Sequence, residues 1–399
     1  MFVVSAPGKV ILYGEHAVVY GVPAIAASVS LHMYMFVVDS SDPDVIELDF
    51  PEVGLVRKWR RSELPWSSVS EAGKLHQKLD PEVHLALKTL LAPVTDPFEN
   101  AASHAFLYLY LHLCSESSAG QRFVTRSTLP VGAGLGSSAS YSVGLAAALL
   151  KLSGKIQDPS TSLSAENLEL INGWSFLGES CIHGNPSGID NIVATRGGAV
   201  LYERGAAHGS SKIEPYDSFP PLGLILTNTK VPRQTSQLVS DVGTLKSQLP
   251  EIVEPILNAI AAVVSRADGL IRSNCSAEEL NESLRELAQI NHGLLVSLGV
   301  SHPSLERVRQ IAHELEIGQT KLTGAGGGGC AITIVDGEVS GKRFNMLKMA
   351  LGDEFDLFET ELGGRGVGMA NLSSSFETDQ ISQLKDARDF HELGNWVYW

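Results

Sequence analysis

Residues 128–139, with the sequence TLPVGAGLGSSA, constrain this chain more than any other stretch. Glycine stands at every second position from 132 to 136, and the hydroxyl residues Ser137 and Ser138 follow directly. Glycine lets backbone N–H groups surround an anion, and a helix that begins near Ser138 adds its positive N-terminal end. The segment therefore indicates a phosphate-binding turn. The alternative is a strand-to-helix turn that needs glycine for its geometry alone.

Neither of the two standard nucleotide motifs fits both this segment and its surroundings. A P-loop ends in Gly-Lys-Ser/Thr, and neither this segment nor the second glycine cluster, KLTGAGGGGC at residues 321–330, has that ending. Residues 134–139 match the alanine-ended dinucleotide fingerprint, which also requires an acidic residue at the end of a strand about twenty positions on. The region around Asp158 is Ser/Pro-rich and lacks a preceding strand, so an oxidoreductase is the weaker interpretation.

Length and charge limit the partners of this chain. Its 399 residues suffice for two or three domains, and 44% hydrophobic with 19% charged residues is typical of a globular protein. Thirty basic and forty-five acidic side chains give a net charge of −15. Such a field repels nucleic acids and anionic membranes, so we expect neither as a partner. A nucleotide must instead be held by local features.

The cysteines and the N-terminus bear on the compartment. Four cysteines at positions 114, 181, 275 and 330 lack the spacing of zinc ligands, which favours thiols in a reducing compartment. The chain begins directly with a strand-like segment, without a basic leader or a long apolar stretch. We expect a cytoplasmic protein and leave peroxisomal association open.

Turn signals and β-branched runs alternate in the first forty residues. They predict several short strands, at residues 2–4, 9–12, 24–30 and 33–38, joined by tight turns. Lys9, Glu15 and His16 interrupt this apolar sequence, and charges among core strands require a reason. The alternative is a solvated strand edge with an incidental salt bridge. Residues 39–80 are polar and predict an excursion over the surface.

Helical periodicity then predicts helices at residues 81–91, 98–114 and 140–152, and another from Ala165. In the last of these, Glu179 lies off the apolar stripe and could face either solvent or a cleft. Residues 183–191 predict a loop that carries Asp190. The Gly/Ser/Pro-rich residues 204–221 predict the boundary between two domains, residues 1–217 and 218–399. In the second domain we expect strands at 222–227, 331–335 and 355–362 and helices at 277–298, 304–316 and 341–351.

Phosphoryl transfer needs a phosphate cradle, a hard cation with oxygen ligands, a cationic side chain and a group that orients the acceptor hydroxyl. The sequence offers a candidate for each part. Ser138 can place a hydroxyl on a magnesium ion, and Glu179 is the carboxylate that we expect beside it. Lys9 is the candidate cation, and Asp190 is the candidate group that orients the acceptor.

Three segments together resemble the signature motifs of the GHMP kinases, in the same order. They are residues 7–21 (PGKVILYGEHAVVYG), 130–139 and 321–330. Two further segments, residues 184–191 (GNPSGIDN) and 227–233 (TNTKVPR), are similar to the mevalonate kinases of that family, and to the animal ones in particular. The resemblance extends over roughly residues 3–370, and five ordered motifs carry far more weight than one.

The resemblance implies a two-domain α+β fold. Its N-terminal domain contains a left-handed β-α-β unit, its C-terminal domain is ferredoxin-like, and the active site lies in the cleft between them. The C-terminal tail is free to pack back on the first domain. The implied reaction transfers the γ-phosphoryl group of ATP, with Mg²⁺, to the C5 hydroxyl of mevalonate. The family also implies a homodimer and feedback inhibition by isoprenoid diphosphates.

The resemblance also implies a role for each matching residue. Asp190 takes up or orients the hydroxyl proton, Lys9 stabilises the charge beside it, and Ser138 with Glu179 holds magnesium. The phosphate cradle consists of Gly132, Gly134, Leu135, Gly136, Ser137 and Ser138, together with Lys9. The predicted substrate contacts are Glu15, His16, Asp190, Arg233 and Thr235. Residues 326–329 are expected to close the cleft from the second domain.

Two rival functions remain at this point. One is another small-molecule kinase of the same family, acting on phosphomevalonate or a sugar. The other is a catalytically silent nucleotide-binding sensor on the same fold. Loss of the cation or of the acid would mark such a sensor, whereas this chain retains both Lys9 and Asp190.

Overall fold

A computed structural model describes residues 1–157, 163–205, 211–219, 222–232, 234–273, 275–337, 341–373, 375–384 and 387–398. In the first domain the strands are β1 Phe2–Tyr13, β2 Ala24–Asp39, β3 Val45–Phe50, β4 Leu55–Arg60, β5 Gln121–Ser127, β6 Ala199–Glu203 and β7 Lys212–Pro215. The helices of this domain are α1 Pro81–Leu90, α2 Pro97–Leu113, α3 Ser137–Leu152, α4 Ala165–His183 and α5 Ile189–Arg196.

The first two strands are long and antiparallel, so the prediction of several short strands is wrong. The turn signal at Pro7 and Gly8 produces a shift of register between Pro7 and Lys9 within β1, where a break was expected. Such a bulge bends a strand without ending it. A side chain at position 8 would meet the Leu129 side chain at 2.3 Å, so glycine permits the close approach of the segment that leads into the phosphate loop.

Strand β2 organises the sheet of the first domain. Its first residues pair with β6 and its last residues pair with β5, while β1 runs along much of its length. Strands β3 and β4 form a hairpin that joins the sheet through a parallel pairing of β3 with β5. The expected surface excursion is therefore wrong for this hairpin, whose Ile46 and Leu48 are fully buried. The alternation of apolar and charged residues along β3 puts those two side chains on the core face.

Helices α2, α3 and α4 pack against one another and complete the core of the first domain. Helix α2 is apolar nearly all round, and residues 102–113 are buried. Helix α3 is rich in alanine and leucine, which allows it to approach both α4 and the strands closely. These contacts fix the N-terminal end of α3 beside β1.

The second domain has a ferredoxin-like arrangement, as the resemblance to the GHMP kinases implied. Its elements are β8 Leu222–Asn228, α6 Thr235–Gln248, α7 Pro250–Arg272, α8 Ala277–Ser297, α9 Pro303–Glu314, β9 Gly318–Leu322, β10 Cys330–Val335, α10 Gly341–Leu351 and β11 Asp356–Leu362. The antiparallel strand order is β11-β8-β10-β9, which is the 4-1-3-2 order of that fold, with helices after the first and third strands. One residue pair, Leu362 with Val29, connects this sheet to β2.

The C-terminal tail returns to the first domain. It contains β12 Gly368–Asn371, α11 Ala387–His391 and β13 Val397–Tyr398, and β12 pairs with the edge of β1. The Phe390 ring stacks on the Tyr34 ring with centroids 3.9 Å apart. The tail thereby covers a face of the sheet that would otherwise expose aromatic side chains. Within the described ranges, no helix is both long and apolar enough to cross a membrane.

Candidate active site

An ion pair joins Lys9 on β1 to Asp190 in the first turn of α5. The Lys9 Nζ atom lies 3.2 Å from Asp190 Oδ2. The sequence predicted Asp190 in a loop, but the helix already begins at Ile189, directly after Gly188 in the left-handed conformation. A position in a helix fixes the direction of the Asp190 carboxylate better than a loop does. The alternative interpretation of a solvated strand edge is also wrong, because Lys9 is only 8% exposed.

The glycine segment forms the turn that enters α3. Gly132, Gly134 and Gly136 have φ values of 77°, 85° and 73°, in the region that favours glycine. Gly136 is the N-cap of α3, so no capping side chain covers the first N–H groups of this 16-residue helix. Uncapped N–H groups and the dipole at such a helix end together favour an anion. The structure thus places the predicted phosphate loop at a helix N-terminus.

Close packing holds this loop against the ion pair. The Lys9 N–H donates to the Leu135 carbonyl oxygen over 2.8 Å, which ties the loop to β1. A Cβ atom at Gly136 would lie 3.1 Å from Lys9 Cγ and 3.4 Å from Asp190 Oδ2. The absence of a side chain at Gly136 therefore lets the loop, the cation and the carboxylate meet at one place.

Glu179 on α4 faces α3 and is only 3% exposed. Ser142 Oγ lies 3.5 Å from its Oε1 atom. Burial, with a smaller contribution from the charge of Asp190, raises the pKa of Glu179 to about 7, although Ser138 and Lys9 oppose this shift. The sequence left open whether Glu179 faces solvent or a cleft. In the structure its carboxylate is turned away from solvent, toward Ser138, Lys9 and Asp190. Glu179 thus lies beside Ser138, as expected for a pair of metal ligands.

A histidine that the sequence analysis missed adjoins this pair. His183 Nε2 lies 3.1 Å from Ser138 Oγ and 4.0 Å from Glu179 Oε2. The signal was present in the sequence, because His183 follows Glu179 by four residues and helical residues at that spacing share a face. His183 therefore lies beside Ser138 at the start of α3.

The donor set at Ser138 and Glu179 fits a magnesium ion. Mg²⁺ prefers oxygen ligands and is usually held by one or two protein groups together with phosphates and waters. Among the residues that the structure describes, no group of three or more His, Cys, Asp or Glu side chains forms a cage for a metal. A buried carboxylate and a hydroxyl at the phosphate loop instead suit an ion that arrives with a nucleotide.

Glu15 and His16 follow β1 and are also buried. The Glu15 carboxylate forms an ion pair with Lys321 and accepts a hydrogen bond of 3.0 Å from Asn291 Nδ2. Burial raises the pKa of Glu15, and the charge of Lys321 opposes that shift. The predicted contact of Glu15 with substrate stays a prediction, and its two carboxylate oxygens have protein partners in this structure.

The His16 ring binds the second glycine cluster. Its Nε2 atom lies 2.8 Å from the Ala325 carbonyl oxygen, and the backbone has a φ of 60°, which is unusual for a residue other than glycine. Burial lowers the pKa of His16, so the ring is neutral at pH 7. A neutral ring that donates from Nε2 leaves Nδ1 as an acceptor.

The remaining predicted substrate contacts are Arg233 and Thr235. Thr235 is the first residue of α6 and is exposed. Arg233 lies outside the described residues. Gly327 and Gly328 pack against the side chains of Leu238 and Val231, so the second glycine cluster adjoins the chain on either side of Thr235.

Curated relatives match the whole chain. It is 41% identical to the mevalonate kinase of Candida albicans, over 100% of this chain and 99% of that protein. It is 40% identical to the mevalonate kinase of Homo sapiens, over 94% of this chain and 96% of that protein.

This chain belongs to the mevalonate kinases. Two family profiles place it in the wider GHMP group, since "GHMP kinases N terminal domain" matches residues 101–198 and "GHMP kinases C terminal" matches residues 276–344. The solved structure of L. major mevalonate kinase in complex with R-mevalonate is 25% identical, with a TM-score of 0.67 over 91% of this chain and 96% of that one. The predicted family and its two-domain α+β fold are thereby confirmed, and fungal and mammalian mevalonate kinases are similar to this chain to nearly the same degree.

Proposed function

We propose that this chain transfers the γ-phosphoryl group of ATP to the C5 hydroxyl of mevalonate. The observation that carries this proposal is the ion pair of Lys9 and Asp190, 3.2 Å apart, directly against Gly136 of the phosphate loop. The curated relatives are mevalonate kinases, and a similar solved structure contains R-mevalonate. The family and the site therefore support the same reaction.

The phosphate loop supplies the nucleotide site. Backbone N–H groups of residues 132–138 and the positive end of α3 attract the β- and γ-phosphates. This arrangement replaces the lysine that a P-loop carries within its own sequence. The cation comes instead from β1, where the Lys9 backbone is bonded to the loop at Leu135.

Ser138 and Glu179 would hold Mg²⁺. When bound, the ion neutralises phosphate charge and orients the γ-phosphoryl group. Glu179 must be ionised for this role, and its raised pKa means that binding of the ion expels a proton from a fraction of the molecules. His183 also adjoins Ser138 Oγ and so limits the directions open to that hydroxyl.

Asp190 acts on the acceptor. Its carboxylate accepts the hydrogen bond of the mevalonate C5 hydroxyl and takes the proton as the oxygen bonds to phosphorus. The Lys9 ammonium group, which is paired with the same carboxylate, balances the negative charge that develops on the attacking oxygen and on the transferred phosphoryl group. Holding both reactants in line supplies most of the remaining acceleration.

We expect His16, Arg233 and Thr235 to bind mevalonate. His16 presents Nδ1 as an acceptor because its Nε2–H is held by Ala325. Arg233, by its resemblance to the family motif, supplies the cation for the mevalonate carboxylate.

ADP release from ATP and Mg²⁺ in the presence of separate hydroxyl acceptors tests this function. We expect rapid release with mevalonate and little with phosphomevalonate or galactose. Faster release with either of those acceptors would favour another GHMP kinase. Tight ATP binding without turnover of any acceptor would favour a nucleotide sensor.

Three further properties belong to this proposal. We expect a homodimer, which light scattering after gel filtration measures. Isoprenoid diphosphates should compete with ATP, because both present a diphosphate to the same loop; inhibition that does not decrease as ATP rises would contradict this. Cell fractionation tests the proposed cytoplasmic location.

A further inference from the structure

Alternate residues at the start of the second glycine cluster are bound to the end of β1 and to the turn that follows it. Thr323 Oγ1 accepts a hydrogen bond of 3.1 Å from the Ile11 N–H and donates one of 2.9 Å to the Ile11 carbonyl oxygen. The Ala325 carbonyl accepts from His16. Lys321, which precedes them on the same face, forms the ion pair with Glu15. Hydrogen bonds at Thr323 and Ala325 and the ion pair at Lys321 thus connect the two domains.

The Lys321–Glu15 pair lies at the centre of this connection. The two side chains are 0% and 1% exposed. Lys321 Nζ also donates to the Leu322 carbonyl over 2.8 Å, and the second Glu15 oxygen accepts from Asn291 on α8. The desolvation of a buried pair costs about as much free energy as its attraction returns, so stability alone explains it poorly. A fixed geometry is a better explanation of such a pair.

The geometry that this pair fixes includes a strained residue. His16 follows Glu15 directly and has φ 60° and ψ −45°. A conformation of this kind persists only where the surroundings impose it, and it occurs preferentially at functional sites. Glu15 on one side and the Ala325 carbonyl on the other hold His16 in place. Strand β1, which precedes this turn, carries Lys9, and the Lys9 N–H donates to the Leu135 carbonyl oxygen in the phosphate loop.

We propose that Lys321 is a positioning residue for the reaction. Through Glu15 it holds the turn at residues 14–16, and hence His16, against the second glycine cluster, so that residues of both domains form the acceptor side of the cleft. Glu15 then acts by positioning His16, whereas the sequence predicted a contact with substrate. This inference rests on the proposed function, because it concerns the site of the acceptor.

The experiment compares Lys321→Met, Glu15→Gln and the double variant with the wild-type protein. For Lys321→Met we expect the KM for mevalonate to rise about tenfold and kcat to fall about tenfold, because the acceptor is misplaced in both the ground state and the transition state. The Kd for ATP without mevalonate should stay within about twofold, because the phosphate loop does not contact this pair. The double variant should lose no more kcat/KM than either single variant, since both changes act through one turn.

The matched control is Lys58→Met. Lys58 on β4 pairs with Glu47 on β3 at 3.0 Å, and the Lys58 side chain is 62% exposed. Its substitution should leave KM, kcat and ATP binding unchanged. If Lys321→Met does not fold, Asn291→Ala replaces it, because this variant removes the second donor to Glu15. The same three constants are measured, and we expect a smaller rise in the KM for mevalonate.

Two results would overturn the positioning role. One is a variant with a lower melting temperature but wild-type KM and kcat, which would make the pair purely structural. The other is losses of kcat/KM that multiply in the double variant, since they would show that Lys321 and Glu15 act independently. An inactive wild-type protein would instead count against the proposed function itself.

Discussion

Lys9 and Asp190, from opposite ends of the first domain's sequence, form an ion pair 3.2 Å long at the phosphate loop. The Lys9 side chain is 11% exposed and that of Asp190 is 30% exposed, so the carboxylate is the more accessible partner. An acceptor hydroxyl can therefore reach Asp190 while the carboxylate keeps its ion pair with Lys9.

Lys9→Met removes the cation beside the reacting oxygen. We expect kcat to fall about 10²- to 10³-fold, which is the usual effect of losing one stabilising donor in a closed site. Steady-state kinetics with saturating ATP and mevalonate measure the loss. A decrease of less than about threefold would remove Lys9 from the mechanism.

Gly136→Ala adds a methyl group that meets both Lys9 and Asp190 and strains a left-handed φ of 73°. The matched control is Gly154→Ala, whose φ is 72° and whose added Cβ has no atom within 4 Å. Each variant should lose about 1–2 kcal/mol of stability from strain. Only Gly136→Ala should also have a lower kcat. Chemical denaturation measures the stability of both variants, and steady-state kinetics measure their kcat. Equal turnover in the two variants would refute the close approach of the loop to the pair.

The raised pKa of Glu179, about 7, predicts release of protons when Mg²⁺ and ADP bind. At about pH 6.5 part of the carboxyl population is protonated and must ionise to bind the ion, whereas at about pH 8.5 it is already ionised. Calorimetry in two buffers of different ionisation enthalpy should therefore detect release at the lower pH and almost none at the higher pH. Glu179→Gln should abolish the pH dependence together with most of the metal affinity. The same release in that variant would mean that another group supplies the proton.

The stacked rings of Phe390 and Tyr34 predict that the C-terminal tail stabilises the first domain. Phe390 is 1% exposed, and Phe390→Ala should cost about 3–5 kcal/mol of unfolding free energy. Phe98→Ala is the comparison, because Phe98 is 44% exposed and should cost far less. Urea denaturation gives both values. A loss below about 1 kcal/mol for Phe390→Ala would show that the tail packs only loosely.

Much of the site could be predicted because its residues stand in local motifs. The alternate glycines before Ser137 indicated a phosphate-binding turn, which the resemblance to the GHMP kinases then favoured over a turn that needs glycine for its geometry alone, and periodicity placed Glu179 on a helix. The long strands were missed, since a turn signal at Pro7 and Gly8 also fits a bulge, and pairing with β2 decides between the two. Such pairing is a tertiary effect that a local pattern does not contain.

The buried ion pair at Lys321 could not be predicted for a similar reason. Its partner Glu15 lies in the other domain's sequence, and no local spacing connects the two residues. His183 is different, because its distance of four residues from Glu179 on one helix was available in the sequence. Contacts within one element are thus open to sequence reasoning, whereas contacts between elements depend on the fold.

Rapid-quench measurement of phosphoryl transfer in the wild-type protein and in Asp190→Asn tests the central claim most directly. With saturating ATP, Mg²⁺ and mevalonate, we expect 5-phosphomevalonate from the wild-type protein. We expect phosphoryl transfer by Asp190→Asn to be about 10²- to 10⁴-fold slower, with an unchanged Kd for ATP. A variant rate within about tenfold of the wild-type rate would contradict the assignment of Asp190 as the group that takes the hydroxyl proton.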